Sequence, residues 1–159
     1  MVDKAKKLKV LTLCSWYPND FNPTLGNFVQ KHADTIALQN SAVALAIFPS
    51  TIDTCIRLVH TTRNGLDEII VYYPKQERGF TLLRKVHNFF SHRKAFKLGY
   101  NNVLEIMGKP DIVHLNIIYP LGIWALWLKW RFKIPYVITE NSSGFHVGTE
   151  HAYPKSILR

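Results

Sequence analysis

The chain has little cysteine and no long apolar run, and both absences restrict its class. Only two cysteines, Cys14 and Cys55, occur among 159 residues, so we expect neither a disulfide framework nor a cysteine metal site. The longest apolar run, Pro120–Leu128, is too short to cross a bilayer, and the run after the basic N-terminus is too short for a signal-peptide core. These absences predict a cytoplasmic protein that lies, at most, peripherally on the inner face of a membrane.

Acidic residues are also scarce. Eleven Asp and Glu residues stand against 20 Lys and Arg residues, which gives a net charge of +9 although charged residues make up only 19% of the chain. This excess favours anionic partners such as nucleotide phosphates, acidic lipids or nucleic acid. Because no helix-turn-helix, RNP-like or zinc-finger pattern accompanies the basic residues, we expect no nucleic-acid partner, and a basic nucleic-acid-binding domain is the least favoured alternative.

Short apolar segments alternate with helical patterns along the chain. The predicted strands are Val10–Cys14, Ala42–Phe48, Glu68–Tyr73, Ile112–Leu115 and Pro135–Thr139, and the predicted helices cover residues 27–38, 80–107 and 121–132, with a further helix opening at Pro154. Residues 50–64 have no clear pattern up to the Asn64-Gly65 turn. This alternation predicts a single α/β domain over residues 1–159, a Rossmann-like parallel sheet with helices on both faces.

In such sheets ligands bind beyond the carboxyl ends of the strands, and the loop after the first strand is the first candidate. It contains one glycine, Gly26, just before the helix that opens near Asn27. Backbone N–H groups at a helix N-terminus bind anions, so Gly26, Asn27 and Phe28 are the predicted phosphate-binding residues. The loop lacks both the Gly-x-Gly-x-x-Gly and the P-loop patterns, and the alternative is that Gly26 only allows a turn.

Polar residues follow two later strands and form the second candidate. His114 lies at the end of the fourth predicted strand, Asn116 begins the loop after it, and Glu140, Asn141 and Ser142 follow the fifth strand. The side chains of residues 140–142 can bind sugar hydroxyls, and the alternative is an ordinary polar turn. His114 faces the predicted crevice, and the alternative is a structural histidine. His146, Glu150 and His151 lack a metal-binding spacing, so we expect no metal.

The long predicted helix and its approach are strongly basic. Between residues 75 and 97 there are seven Lys or Arg residues and one Glu, and bulky apolar residues lie among them. Such a segment suits an anionic membrane surface, and Arg84, Lys85, Lys94 and Lys97 are the predicted contact residues. The alternative is a solvated helix flank.

Four segments together resemble the N-terminal domain of family 4, GT-B-type glycosyltransferases. They are Ser15-Trp16-Tyr17-Pro18, Pro23-x-x-Gly26-x-Phe28-Val29, Lys109-Pro110-Asp111-Ile112-Val113-His114 and Pro135-Tyr136-Val137-Ile138-Thr139-Glu140. The resemblance covers nearly the whole chain. It implies a two-domain retaining enzyme that moves a sugar from a nucleotide-sugar to a cell-envelope polysaccharide or a lipid-linked acceptor, without a further cofactor.

The resemblance also implies that two domains bind the two substrates. This domain would bind the acceptor, and the loop at Gly26 would approach the donor diphosphate. A second domain, absent from this chain, would supply most of the nucleotide pocket and a glutamate pair, so this chain alone is expected to be inactive. Family members often carry histidines where this chain has Asn116 and Asn141, which limits these asparagines to binding. A non-catalytic binding module for a phosphorylated ligand is the alternative function.

Overall fold

The computed structural model describes residues 7–141, which form an α/β fold with a six-stranded, mostly parallel sheet and three helices. The elements in chain order are β1 (Lys9–Cys14), α1 (Asn27–Ala37), β2 (Ser41–Ser50), β3 (Arg57–Arg63), β4 (Leu66–Pro74), α2 (Thr81–Met107), β5 (Ile112–Asn116), α3 (Gly122–Phe132) and β6 (Tyr136–Thr139). The predicted fold class is therefore confirmed. The helix predicted to open at Pro154 lies outside the described residues.

The strand order is β3-β4-β2-β1-β5-β6, so the chain builds the sheet outward from β1 in two directions. From β1 it first adds β2 and the β3–β4 pair on one side, and later adds β5 and β6 on the other side. The order reverses between β1 and β5, and ligands of open α/β sheets bind at such a reversal. The loops that follow β1 and β5 are therefore the candidate ligand-binding loops of this sheet.

The helices lie on both faces of the sheet because the strand side chains alternate between two cores. On one face, Val43, Leu45 and Ile47 of β2 pack with α2 and α3. On the other face, the small residues Ala42, Ala44 and Ala46 leave room for α1, which buries Val29 and Ala33. We call these the α2–α3 face and the α1 face.

One strand was not predicted from the sequence. β3 pairs antiparallel with β4 across a hairpin whose turn is Asn64-Gly65, both with positive φ. The strand is polar and lies at an edge, with three consecutive exposed residues from His60 to Thr62, so it lacks the apolar run that marks a buried strand. Its available signals were the Asn-Gly turn and the β-branched residues Val59, Thr61 and Thr62.

The two halves of the helix α2 differ in how deeply their side chains are buried. Its second half buries Ala95, Phe96, Gly99, Tyr100, Val103 and Met107, whereas no residue from Thr81 to Lys94 is buried. The predicted apolar spacing continues through both halves of α2. In the first half, however, the described residues do not cover the apolar side of the helix, so its apolar residues stay at least partly exposed. Within residues 7–141, no helix combines the length and the hydropathy needed to cross a membrane.

Candidate functional site

The loops after β1 and β5 are joined at the point where the strand order reverses. Ser15, the first residue after β1, donates its hydroxyl hydrogen to the carbonyl oxygen of Ile117 at 2.7 Å. The same hydroxyl accepts a hydrogen bond from the N–H of Leu121 at 3.3 Å, and the Ser15 N–H donates to the carbonyl of Asn116. Ser15 is buried, so this small side chain fixes the two loops against each other.

The end of β6 is attached to the same loop. The Ile117 N–H donates to the carbonyl oxygen of Thr139 at 2.9 Å, and the Ile118 N–H donates to Oε2 of Glu140 at 2.9 Å. The structure thus brings Glu140 next to the loop after β5, where its carboxylate holds the backbone. Asn141 is exposed, and Ser142 lies outside the described residues.

Gly26 lies immediately before α1, as the sequence predicted, but with a φ of 64°. A Cβ atom built on Gly26 would lie 2.6 Å from the carbonyl carbon of Trp16 and 2.9 Å from the backbone nitrogen of Tyr17. The glycine is therefore required by the packing of the loop on itself, whatever it binds. A substitution at Gly26 would strain the loop, so it cannot isolate a role in phosphate binding.

The first turn of α1 provides two free donors. Val29 and Gln30 both donate their N–H groups to the carbonyl of Gly26, whereas the N–H groups of Asn27 and Phe28 have no partner within residues 7–141. Asn27 is exposed and Phe28 is half-buried beside Trp16. These two N–H groups and the positive end of the helix dipole form an arrangement that binds anions.

Three polar side chains share the α1 face on β1 and β5. Thr12 is the register partner of His114, and Asn116 follows two residues later on the same face. Thr12 and Asn116 are completely buried, and His114 is half-buried. Among the described residues, the Thr12 hydroxyl, Nδ1 of His114 and both side-chain polar atoms of Asn116 have no hydrogen-bond partner. We call these atoms the unpartnered cluster.

His114 is held in place by its other ring nitrogen, because Nε2 lies 2.8 Å from the Thr139 hydroxyl. Burial, followed by the charge of His32 on α1, lowers the pKa of His114 below its ordinary value of 6.5. The imidazole is therefore neutral at pH 7 and can exchange hydrogen bonds with a neutral ligand. His114 thus combines a fixed orientation with a buried, unpartnered Nδ1 atom.

A partly buried ionic network centred on Glu68 was not predicted from the sequence. Tyr17 donates its hydroxyl hydrogen to Oε1 of Glu68 on β4 at 2.6 Å, and Gln30 donates to the same oxygen. Arg63 bridges Glu68 at 2.9 Å and Asp34 of α1 at 2.8 Å. Burial alone would raise the pKa of Glu68, but the hydrogen bonds from Arg63, Tyr17 and Gln30 together lower it.

This network fixes the first loop and α1 to the β3–β4 hairpin. Its members come from four separate elements, so no local pattern in the sequence connects them. The one available signal was an acidic residue, Glu68, in an apolar strand, since a buried carboxylate requires a partner.

The predicted membrane-contact residues lie on α2, away from the unpartnered cluster. Lys85, Lys94 and Lys97 are exposed, whereas Arg84 is half-buried and donates from Nη1 to the carbonyl of Glu77 at 2.8 Å. Within residues 7–141, no group of three or more His, Cys, Asp or Glu side chains is arranged to hold a metal ion. Comparison of the sequence with protein-family models gave no match, and neither did comparison with curated proteins.

Proposed function

We propose that this chain is the acceptor-side domain of a glycosyltransferase that moves a sugar from a nucleotide-sugar to a saccharide or lipid-linked acceptor of the cell envelope. The unpartnered cluster is the observation that carries the proposal. A buried polar atom without a hydrogen-bond partner lowers the free energy of unfolding by about 1–3 kcal/mol. Several such atoms together therefore indicate a place where a polar ligand binds.

A sugar suits the chemistry of this cluster. Sugar hydroxyls donate and accept hydrogen bonds, and Asn116 offers one donor group and one acceptor while Thr12 offers a hydroxyl. The neutral imidazole of His114 adds one more hydrogen-bonding atom, Nδ1, on the same face of the sheet. Because Thr12 and Asn116 are completely buried, a saccharide reaches them only through a local opening of the site.

The first turn of α1 supports the donor side of the proposal. The N–H groups of Asn27 and Phe28 belong to the loop–helix junction that follows β1, and β1 carries Thr12 of the unpartnered cluster. A diphosphate on these donors would therefore lie at the same edge of the sheet as a saccharide near His114. Transfer needs both substrates held in register, so we expect this chain alone to show no turnover of a nucleotide-sugar.

Thr12→Val tests the acceptor site. The substitution keeps the shape of the side chain and removes a hydroxyl that has no partner, so the free energy of unfolding should stay the same or rise. Saccharide binding, measured by calorimetry on oligosaccharides, should weaken about fivefold to tenfold. Thr35→Val is the matched control, because within residues 7–141 the Thr35 hydroxyl donates only to the carbonyl of Lys31, on the exposed side of α1.

The donor site is tested by titrating the isotope-labelled chain with inorganic diphosphate. The amide resonances of Asn27 and Phe28 should shift, whereas that of Ile123 at the start of α3 should not. Binding of diphosphate without any saccharide would instead support a binding module for a phosphorylated ligand. Binding of neither ligand, or robust sugar transfer by this chain alone, would contradict the proposal.

A further inference from the structure

The first half of α2 exposes an apolar stripe. Leu83 is 69% exposed and Phe90 is 49% exposed, although both are large apolar side chains. Residues separated by seven, four and three positions share one side of a helix, so Leu83 and Phe90 are followed on the same line by Lys94 and Lys97. We call these four residues the lysine-ended stripe.

A second line lies directly beside it and ends in the same way. Leu82, Val86 and Phe89 are all exposed and are followed by Arg93. Further along the helix this line continues through Phe96, which is buried in the core. The first half of α2 therefore presents a broad apolar surface, and three basic residues, Arg93, Lys94 and Lys97, follow it where the buried second half begins.

The charges on this surface are not neutralised by neighbours. Arg93, Lys94 and Lys97 form no ion pair within residues 7–141. In the whole segment from residue 75 to 97, seven basic residues face one acidic residue, Glu77, which pairs with Lys75. A partner of this surface must therefore offer negative charge next to apolar groups.

We propose that the first half of α2 docks on an anionic lipid bilayer, with Leu83 and Phe90 among the acyl chains and Lys94 and Lys97 against the headgroup phosphates. An anionic bilayer offers apolar depth and negative charge side by side, which a nucleic-acid backbone does not. The proposal concerns a surface outside the candidate site and does not depend on the proposed function. Arg84 and Lys85 lie on other sides of α2 and are not part of this contact.

The geometry also fixes which edge of the domain faces the bilayer. α2 follows the carboxyl end of β4, so its exposed first half begins at the edge of the sheet that carries the candidate site. The loop after β5 adds Ile118 and Tyr119, which are exposed at that same edge. Docking through α2 would therefore hold this edge of the sheet, and with it the candidate site, beside the membrane.

Co-sedimentation of the 159-residue chain with vesicles tests this proposal. We expect binding to vesicles that contain phosphatidylglycerol, no binding to pure phosphatidylcholine vesicles, and weaker binding at higher salt. Lys94→Gln with Lys97→Gln should weaken binding by about fivefold for each lysine. Leu83→Ser with Phe90→Ser should weaken it at least about tenfold, because the apolar insertion is lost.

Matched variants keep the test specific. Lys31→Gln with Lys109→Gln removes two exposed lysines elsewhere, and Leu38→Ser removes an exposed leucine at the end of α1, so none of these should change binding. Thermal unfolding of each variant shows that it is folded. Equal binding to both vesicle types, or equal losses of binding in the control variants, would overturn the proposal. It would also be overturned if the variants of the lysine-ended stripe left vesicle binding unchanged and instead abolished self-association of the chain or its binding to duplex DNA.

Discussion

The two faces of the sheet bury different chemistry. On the α2–α3 face the core consists of aliphatic residues and stacked rings, with Phe96 lying 4.6 Å from Trp124 and nearly parallel to it. On the α1 face the buried residues include Thr12, Glu68 and Asn116, and Ala44 of β2 lies in register between Thr12 and Glu68. The α2–α3 face is held mainly by packing, although it includes the hydrogen bond from Trp124 to His92, whereas the α1 face depends on a larger set of hydrogen bonds.

Under the proposed function, the difference indicates where the saccharide would bind. Buried polar groups are stable only when they are hydrogen-bonded, and the α1 face divides into two parts in this respect. Glu68 is fully engaged by Tyr17, Gln30 and Arg63, whereas the polar atoms of Thr12 and Asn116 have no partner among the described residues. We infer that the engaged part supports the site and that the unpartnered part is the site.

The largest expected effect lies on the α2–α3 face. Phe96→Ala removes a completely buried ring that stacks on Trp124 and Tyr100, and it should lower the free energy of unfolding by about 3–5 kcal/mol. Phe89→Ala on the exposed half of the same helix should cost only about 1 kcal/mol, because Phe89 is 46% exposed. Urea unfolding measures both. Similar losses in the free energy of unfolding for the two variants would show that the first half of α2 is also packed against the rest of the protein.

The next effect concerns His92, a half-buried titratable residue of α2 that contacts Trp124 of α3. His92 accepts a hydrogen bond at Nδ1 from the indole of Trp124, and burial lowers the pKa of His92 from 6.5 to about 4. Between pH 6.5 and 4 the unfolded chain binds a proton that the folded chain does not, so stability should fall as the pH falls. The shift corresponds to a loss of about 3 kcal/mol over this window.

His92→Asn is the test for this group. The amide oxygen of asparagine can replace Nδ1 as acceptor for Trp124 but does not titrate, so the variant should lose less stability between pH 6.5 and 4. His114 on the α1 face also has a lowered pKa, and it titrates in both proteins. The difference between wild type and variant therefore isolates His92. Parallel pH curves would show that His92 is not protected from water.

The sequence predicted the carboxyl-end loops and two residues of the unpartnered cluster, His114 and Asn116, but it did not predict Thr12. The loop containing Gly26 and the strand ending at Asn116 follow from local patterns and the general rule for parallel sheets. Thr12 could not be assigned a role, because its importance depends on its register with His114, about a hundred residues away in the chain. Strand register depends on the pairing of distant segments, and one sequence alone does not reveal it.

The apolar rhythm of α2 shows the same limit. Leu82 and Phe96 belong to one continuous pattern, which predicts a helix correctly, yet one is exposed and the other is buried. Periodicity indicates which side of a helix is apolar, but it does not indicate how far the rest of the protein extends along that side. The polar edge strand β3 was missed for a related reason, since its partner β4 supplies the apolar side chains of that hairpin.

The smallest of these effects concerns Glu68 on the α1 face and appears in a different pH range. Because its pKa in the folded chain is lowered below 4.5, the stabilisation from the carboxylate is present above that pH and is lost as the pH falls through the folded-state value. Glu68→Gln should therefore cost about 1–2 kcal/mol at pH 7, and this difference between the two proteins should close as the pH falls through the pKa of folded Glu68. Urea unfolding from pH 7 to 3 follows this difference, and Glu105→Gln, which removes an exposed carboxylate on α2, is the matched control. A gap that stays constant to pH 3 would mean that Glu68 contributes by shape and not by charge. In that case the comparison between the two faces would rest on packing alone.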